Sequence, residues 1–414
     1  MLGREEVISA ERALALLLEN LPARSPREVR VKIDDALGAV CSRDIVSPED
    51  LPGFARSTVD GYAVAARDTF GATESMPAYL TLSKEIFMGE KPDFALQKGS
   101  ACRIPTGGML PPGADAVVMF EHAQTIDEKM IEALRPVTPA ENVIQAGEDV
   151  KKGETLITRG HRFRPQDIGA CAGIGIMDVH VYARPVVSIL STGDEIVPAS
   201  QEPRAAQVRD INSYILSGMI SALGCVPLRK GIFRDGYDVI RAALEGAMSD
   251  SDAIVVSGGT SVGTKDMIAK VIGDIGEPGV LFHGVSLKPG KPMIAGMIRG
   301  IPVFGLPGHP AAVSVCFGIF IEPVLNILSG LRDRLSRYDR MTVKARLSKN
   351  VSSSLGREEH IRVMLEEGDD GLWAKPVLGK SGLIATLVKA DGTFVIPVNS
   401  NGVEKGEEVE VRLF

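Results

Sequence analysis

Between Pro185 and Leu328 the chain switches repeatedly between short β-branched runs and segments of helical period, and no other feature constrains its fold as strongly. Val186 to Leu190, Val226 to Ile232, Ala253 to Val256 and Val303 to Leu306 read as strands, with a strand pair around Leu287 to Met297. Ile211 to Leu223, Tyr237 to Met248, a stretch near Met267 to Ile272 and Pro310 to Leu328 read as helices. Strands separated by helices of this length imply right-handed crossovers and a mostly parallel sheet, with ligands at the carboxyl ends of the strands.

The flanking sequence has other periods. Val7, Ile8, Leu14, Leu17, Leu18 and Leu21 recur at helical spacing, which predicts an amphipathic helix ending before Pro22. From about Leu51 to Gln145, short β-rich runs alternate with Gly and Pro turns, as in an inserted, mainly β module. Gly147 to Tyr182 is expected to pack with the N-terminal helix. After the charge-rich linker L-R-D-R-L-S-R-Y-D-R, short strands return and predict a small β-barrel-like end domain. The expected class is multidomain α/β plus β. Residues 1–54 with 146–183 would form a discontinuous α+β domain, 55–145 the insertion, 184–331 the α/β domain and 332–414 the C-terminal β domain. A chain of 414 residues exceeds what one core usually organises.

Composition removes several function classes. Net charge is −7 and the basic residues are dispersed, so nucleic acid is not an expected partner. The five cysteines form no C-x-x-C pair and the six histidines have no ligand spacing, which argues against a disulfide framework and a histidine-built metal site. The opening M-L-G-R-E-E-V does not read as a signal peptide, and the apolar run Ala311 to Ile321 is about half the ~20 residues a bilayer needs. A cytoplasmic protein without membrane partners is expected.

The strongest local signal is S-G-G-T-S-V-G, Ser257 to Gly263, between an apolar strand and a helix. Such glycines let backbone N–H groups converge on a phosphate near a helix N-terminus, although this is not the Walker pattern. Asp266 at the expected helix start, Asp235 after the Val226 strand and Asp194-Glu195 in S-T-G-D-E could each be simple caps. Three consecutive strand-to-helix junctions carrying carboxylates at one sheet edge suit Mg²⁺ shared with substrate phosphates. Lys288-Pro289-Gly290-Lys291-Pro292 places two ammonium groups on a stiff turn, and Pro307-Gly308-His309-Pro310 opens the long helix. Asp60 and Thr106 read only as turn formers.

In order, S-T-V-D-G-Y-A, R-I-P-T-G, P-P-G-A-D-A-V-V, L-S-T-G-D-E, S-G-G-T-S-V-G-T-K-D, K-P-G-K-P, L-P-G-H-P, G-R-E-E-H-I-R-V and K-S-G-L-I-A-T-L span nearly the whole chain. The set resembles the molybdopterin molybdenumtransferases, the family that includes the E domain of gephyrin. The resemblance implies an L-shaped homodimer in which the β insertion of one subunit faces the α/β domain of the other, bringing Asp60 and Thr106 to the partner's cleft. It implies that Glu195, Asp235 and Asp266 handle Mg²⁺ and the reaction. Ser257, Gly258, Gly259, Ser261 and Gly263 would hold the nucleotide phosphate, Lys288 and Lys291 anionic oxygens, and Pro307, Pro310 and Ser381 would shape the site. The implied substrates are adenylylated molybdopterin and molybdate, with AMP released. Implied partners are a second copy, the adenylyltransferase and cofactor-accepting molybdoenzymes. His309 replaces the usual asparagine of L-P-G-x-P, and Gly284 beside His283 stands where some members carry lysine. Two other readings remain: the preceding adenylylation of molybdopterin, and a non-catalytic, gephyrin-like dimeric scaffold.

Overall fold

The computed structural model describes residues 7–22, 26–258, 262–331, 341–369 and 371–414, with backbone only at 262–266. The expected linker after Gly330 falls mostly on 332–340, outside the described residues.

The central sheet has the order Val226–Phe233, Val186–Thr192, Ala253–Gly258, Ile301–Leu306, Ile294–Ile298, Gly279–His283. The first four strands are parallel and the last two antiparallel. The central strands Ala253–Gly258 and Ile294–Ile298 are buried along their whole length, which explains why they read as continuous apolar runs rather than alternations. Helices cover both faces, with one core around Val187, Ile189, Val255 and Phe304 and another around Leu190, Val256, Ile268 and Ile294.

Two sequence expectations change here. The helix Ala10–Asn20, capped by Ser9 Oγ accepting from Arg12 N at 3.1 Å, does not pack with Gly147 to Tyr182. Its Ala13 and Leu17 are fully buried in the α/β core instead. The expected strand pair around Leu287 to Met297 is also divided. Ile294–Ile298 belongs to the central sheet, whereas Leu287–Lys288 pairs in parallel with Glu358–Glu359 of the terminal sheet. This short turn therefore stitches two sheets together.

The Pro310–Leu328 helix is long and apolar enough to cross a membrane, but 83% of the relevant window is buried within the protein, so it is a core helix. A π-turn at Phe317–Ile321 divides it, and Pro323 stands in the first turn of the segment Glu322–Leu328. Proline has no N–H to donate there, and the wider turn absorbs the mismatch.

Glu28–Lys32 pairs antiparallel with Asp178–Tyr182, and Ile33, Cys41, Phe163, Cys171 and Ile174 form a separate core. Asp167 organises this unit by accepting from Arg164 N at 2.7 Å, Arg164 Nε at 3.0 Å and His161 Nε2 at 2.7 Å. Burial alone would push its carboxyl up, but the Arg164 and His161 hydrogen bonds outweigh that and hold it at about 2 against 3.8. A carboxyl depressed on folding contributes stability above its unfolded value and loses it as pH falls through the folded one. Wild type is therefore expected to lose about 2 kcal/mol more than Asp167→Asn between pH 5 and pH 2. Urea unfolding of both proteins across that window checks this, and parallel pH profiles would contradict it.

The insertion is an open six-stranded sheet in the order Ala116–Met119, Gly61–Val64, Ser100–Ile104, Ala78–Glu85, Met130–Ala133, Ala123–Asp127. In the terminal unit Glu358–Gly368, Gly371–Pro376, Thr342–Leu347, Glu408–Leu413 and Gly392–Ile396 pair in a ring, closed by Glu358–Gly368 against Gly392–Ile396. Closure leaves these strands without a free edge. The architecture is multidomain α/β plus β.

Candidate functional site

Three neighbouring parallel strands lead into the segments that carry Glu195, Asp235 and Asp266. Glu195 follows Val186–Thr192, Asp235 follows Val226–Phe233, and Asp266 lies on the helix Val262–Ile275 that follows Ala253–Gly258. This helix starts earlier than its sequence suggests, so Asp266 sits in the second turn rather than at the cap. The Asp266 side chain, Gly259 and Ser261 lie outside the described residues, and Gly263 is in the first turn of the helix.

The edge is built around glycines. Gly258 has φ +143°, and a Cβ there would lie 1.8 Å from the Thr192 carbonyl oxygen. At Gly193, φ +144°, a Cβ would lie 2.7 Å from Glu195 Oε2, so the half-buried carboxylate folds back over the strand end. Thr192 and Ser257 are 1% and 2% exposed, and neither hydroxyl has a hydrogen-bond partner among the described residues. A buried hydroxyl left unpaired costs about 1–3 kcal/mol, so such atoms at a strand edge point to a polar ligand. Beside them is a cleft of about 690 Å³ lined by Asp194, Asp210, Tyr214, Arg229 and Arg234. Asp210 is tied to Ser191 Oγ at 2.8 Å and Ser213 N at 3.1 Å, and the Arg229 guanidinium lies 4.2 Å over the Tyr214 ring.

A second cleft, about 580 Å³, lies on the seam between the α/β and terminal units and gathers Lys288, Lys291, Pro307, His309 and Ser381. Pro310 does not line it; it is buried in the first helical turn just behind. Ser381 Oγ is 2.7 Å from His309 Nδ1, and Ser381 O accepts from Ala311 N at 3.2 Å, so the terminal unit clasps the start of the helix. Asn212 Nδ2 donates to Gly308 O at 2.9 Å, linking this loop to the segment beside the first cleft. The His309 departure thus has a local partner. Gly284 stands at φ +93°, where a lysine would be strained.

Sequence reading assigned no role to Arg357, Arg362 and Lys380, yet all three line the second cleft. Arg362 is 8% exposed, its Nη2 donates to Gly379 O at 3.0 Å, and its Nε has no partner among the described residues. Burial pushes its guanidinium pKa down. A cationic, partly unsatisfied pocket of this kind accepts a small anion through charge-assisted hydrogen bonds. The available signal was two arginines bracketing E-E-H-I at the start of a β run.

Asp60 and Thr106 meet each other but line neither cleft. Thr106 N and Oγ1 donate to Asp60 Oδ1 at 2.7 and 3.0 Å, and these bonds lower the Asp60 carboxyl pKa.

For magnesium, no group of three or more His, Cys, Asp or Glu side chains converges among the described residues. The hard carboxylate donors at the sheet edge nevertheless suit an ion usually held by one or two carboxylates together with substrate phosphates and water.

Residues 8–175 match the "MoeA N-terminal region (domain I and II)", residues 188–327 a "Probable molybdopterin binding domain", and residues 344–414 the "MoeA C-terminal region (domain IV)". The chain is 31% identical to molybdopterin molybdenumtransferase 2 of Mycobacterium tuberculosis, covering 94% of this chain and 95% of that one. It is 29% identical to the molybdopterin molybdenumtransferase of Haemophilus influenzae over 99% of each chain. A crystal structure of a molybdopterin biosynthesis moeA protein from Pyrococcus horikoshii OT3 superposes with a TM-score of 0.85 at 32% identity, covering 99% of this chain and 100% of that one.

Proposed function

Because this chain belongs to the MoeA family of molybdopterin molybdenumtransferases, we propose that its two clefts bring adenylylated molybdopterin and molybdate together and insert the metal as AMP is released. The protein is a transferase of molybdenum cofactor biosynthesis. The observation that carries the finer reading is the cationic seam, where Arg357 and the buried Arg362 each keep an Nε without a partner among the described residues, joined through Gly308 and Asn212 to the segment beside the first cleft.

In this reading molybdate sits in the seam cleft. Lys291 and Arg357 neutralise its charge, and Ser381, held by His309, offers its hydroxyl. The nucleotide phosphates lie at the other site, on Ser257, Gly258 and the N-terminus of Val262–Ile275, where backbone N–H groups and the helix dipole favour anions. Gly259, Ser261 and Gly263 belong to the same loop. Glu195, Asp235 and Asp266 would hold Mg²⁺, which when bound supplies positive charge to phosphate oxygens as the anhydride opens. Glu195 is already oriented by its fold over Gly193, so little rearrangement is needed. Pro307 and Pro310 stiffen the wall between the clefts.

Asp60 and Thr106 tie two turns together and line neither cleft of their own subunit. A homodimer would present them to the partner's cleft, where the Asp60 carboxylate stays ionised to orient an N–H or cation. The setting proposed is the cytoplasm, with the adenylyltransferase supplying substrate and molybdoenzymes taking the product.

Purified protein given adenylylated molybdopterin, Mg²⁺ and molybdate is expected to release AMP and form active cofactor. Absence of AMP under those conditions removes the reading. With turnover established, Arg357→Ala is expected to raise the KM for molybdate by about 10- to 100-fold, since it removes a charge-assisted contact worth about 1.5–3 kcal/mol. Steady-state kinetics against molybdate concentration measures it, and an unchanged KM would place the oxoanion elsewhere.

A further inference from the structure

Among the residues lining the seam cleft, Glu359 is the one acid facing five cationic side chains. It is 6% exposed, and both oxygens are engaged: Oε1 with Lys288 Nζ at 2.5 Å and Oε2 with Ser353 Oγ at 2.7 Å. The pairing is imposed by the backbone, because Lys288 and Glu359 are register partners where Leu287–Lys288 joins the terminal sheet. A site shaped only to grip a dianion gains nothing from a buried carboxylate, since like charges repel most where water is scarce. Lys291, by contrast, is exposed and has no ion pair among the described residues. The two lysines of K-P-G-K-P are thus unequal: one is a free cation, the other is already committed.

We propose that Glu359 is a positioning residue that sets how loosely the cleft holds its oxoanion, by competing with the anion for Lys288. This rests on the reading of the cleft as the molybdate site. When the anion enters, the Lys288 ammonium exchanges Glu359 for an anionic oxygen; when the anion leaves for the pterin sulfurs, the carboxylate takes the ammonium back. With the anion bound, the buried carboxylate keeps only the Ser353 hydroxyl, and that cost offsets part of the anion's attraction to the cations, so the oxoanion is retained yet transferable.

The test titrates sodium molybdate calorimetrically into the full-length wild type, Glu359→Gln and Glu359→Asp, with AMP-release kinetics on each. Glutamine can still accept from Lys288 and donate to Ser353, so the change is chiefly one of charge. Glu359→Gln is expected to bind molybdate about tenfold tighter, with a lower molybdate KM and a kcat reduced about tenfold, while Glu359→Asp restores values within about threefold of wild type. Ser353→Ala keeps the charge but removes the competing partner of the carboxylate, so Lys288 is held harder and the Kd rises. Unchanged or weaker binding in a folded Glu359→Gln, or an unchanged Kd in Ser353→Ala, overturns the proposal while leaving the cleft reading intact. A wild type that binds no molybdate overturns both.

Discussion

Replacement of Glu195 by glutamine is expected to lower AMP release by about a hundred- to a thousandfold while moving unfolding stability by about 1 kcal/mol or less. The size follows from its place: a half-buried carboxylate at the end of Val186–Thr192, folded over Gly193. It contributes fixed negative charge where cation and phosphate would meet, a role an amide of the same shape cannot fill. Fold loss should be small, because Glu195 takes part in none of the apolar cores. Asp266→Asn, on the neighbouring junction, is expected to behave alike. Single-turnover AMP release and urea unfolding on the same preparations separate the two effects. Near-normal turnover, or a collapse in stability, would assign Glu195 a structural task instead.

Gly258→Ala is expected to be the most damaging single-methyl change at the site, destabilising by about 3–5 kcal/mol. Two costs add: a left-handed backbone at φ +143°, and a methyl 1.8 Å from the Thr192 carbonyl in the adjacent strand. Neither strand can retreat, since Thr192 and Gly258 are register partners inside a sheet paired on both sides. Gly231, at φ +114° with nothing within 4 Å of its added Cβ, is the control. Gly231→Ala should lose only the backbone share, about 1–2 kcal/mol. Equilibrium urea unfolding compares them, and equal losses would show that close packing at Gly258 is unimportant.

The parallel sheet was legible because apolar runs and helical periods are local signals, and the carboxylates after three strands followed from the same pattern. Longer-range consequences were not. Amphipathicity marked an apolar face that includes Leu14, Leu17 and Leu18 but not what covers it, and Leu17, together with Ala13, is buried in the α/β core. The start of Val262–Ile275 was hidden because three glycines in seven residues read as loop, although Gly263 is helical. Arg357, Glu359 and Arg362 acquire meaning only when Leu287–Lys288 pairs with Glu358–Glu359 from a distant part of the chain. No residue-to-residue spacing announces such a pairing. Asp60 and Thr106 were visible only as formers of two separate turns, and it is their hydrogen bonds that tie the two together.

A crystal structure with AMP, Mg²⁺ and molybdate tests the two-cleft arrangement most directly. Phosphate density should lie against Ser257 and Gly258, and a separate strong anomalous peak should lie between Lys291 and Arg357 on the seam. Both ligands bound away from these residues, or the oxoanion bound at the sheet edge with the seam empty, would contradict it.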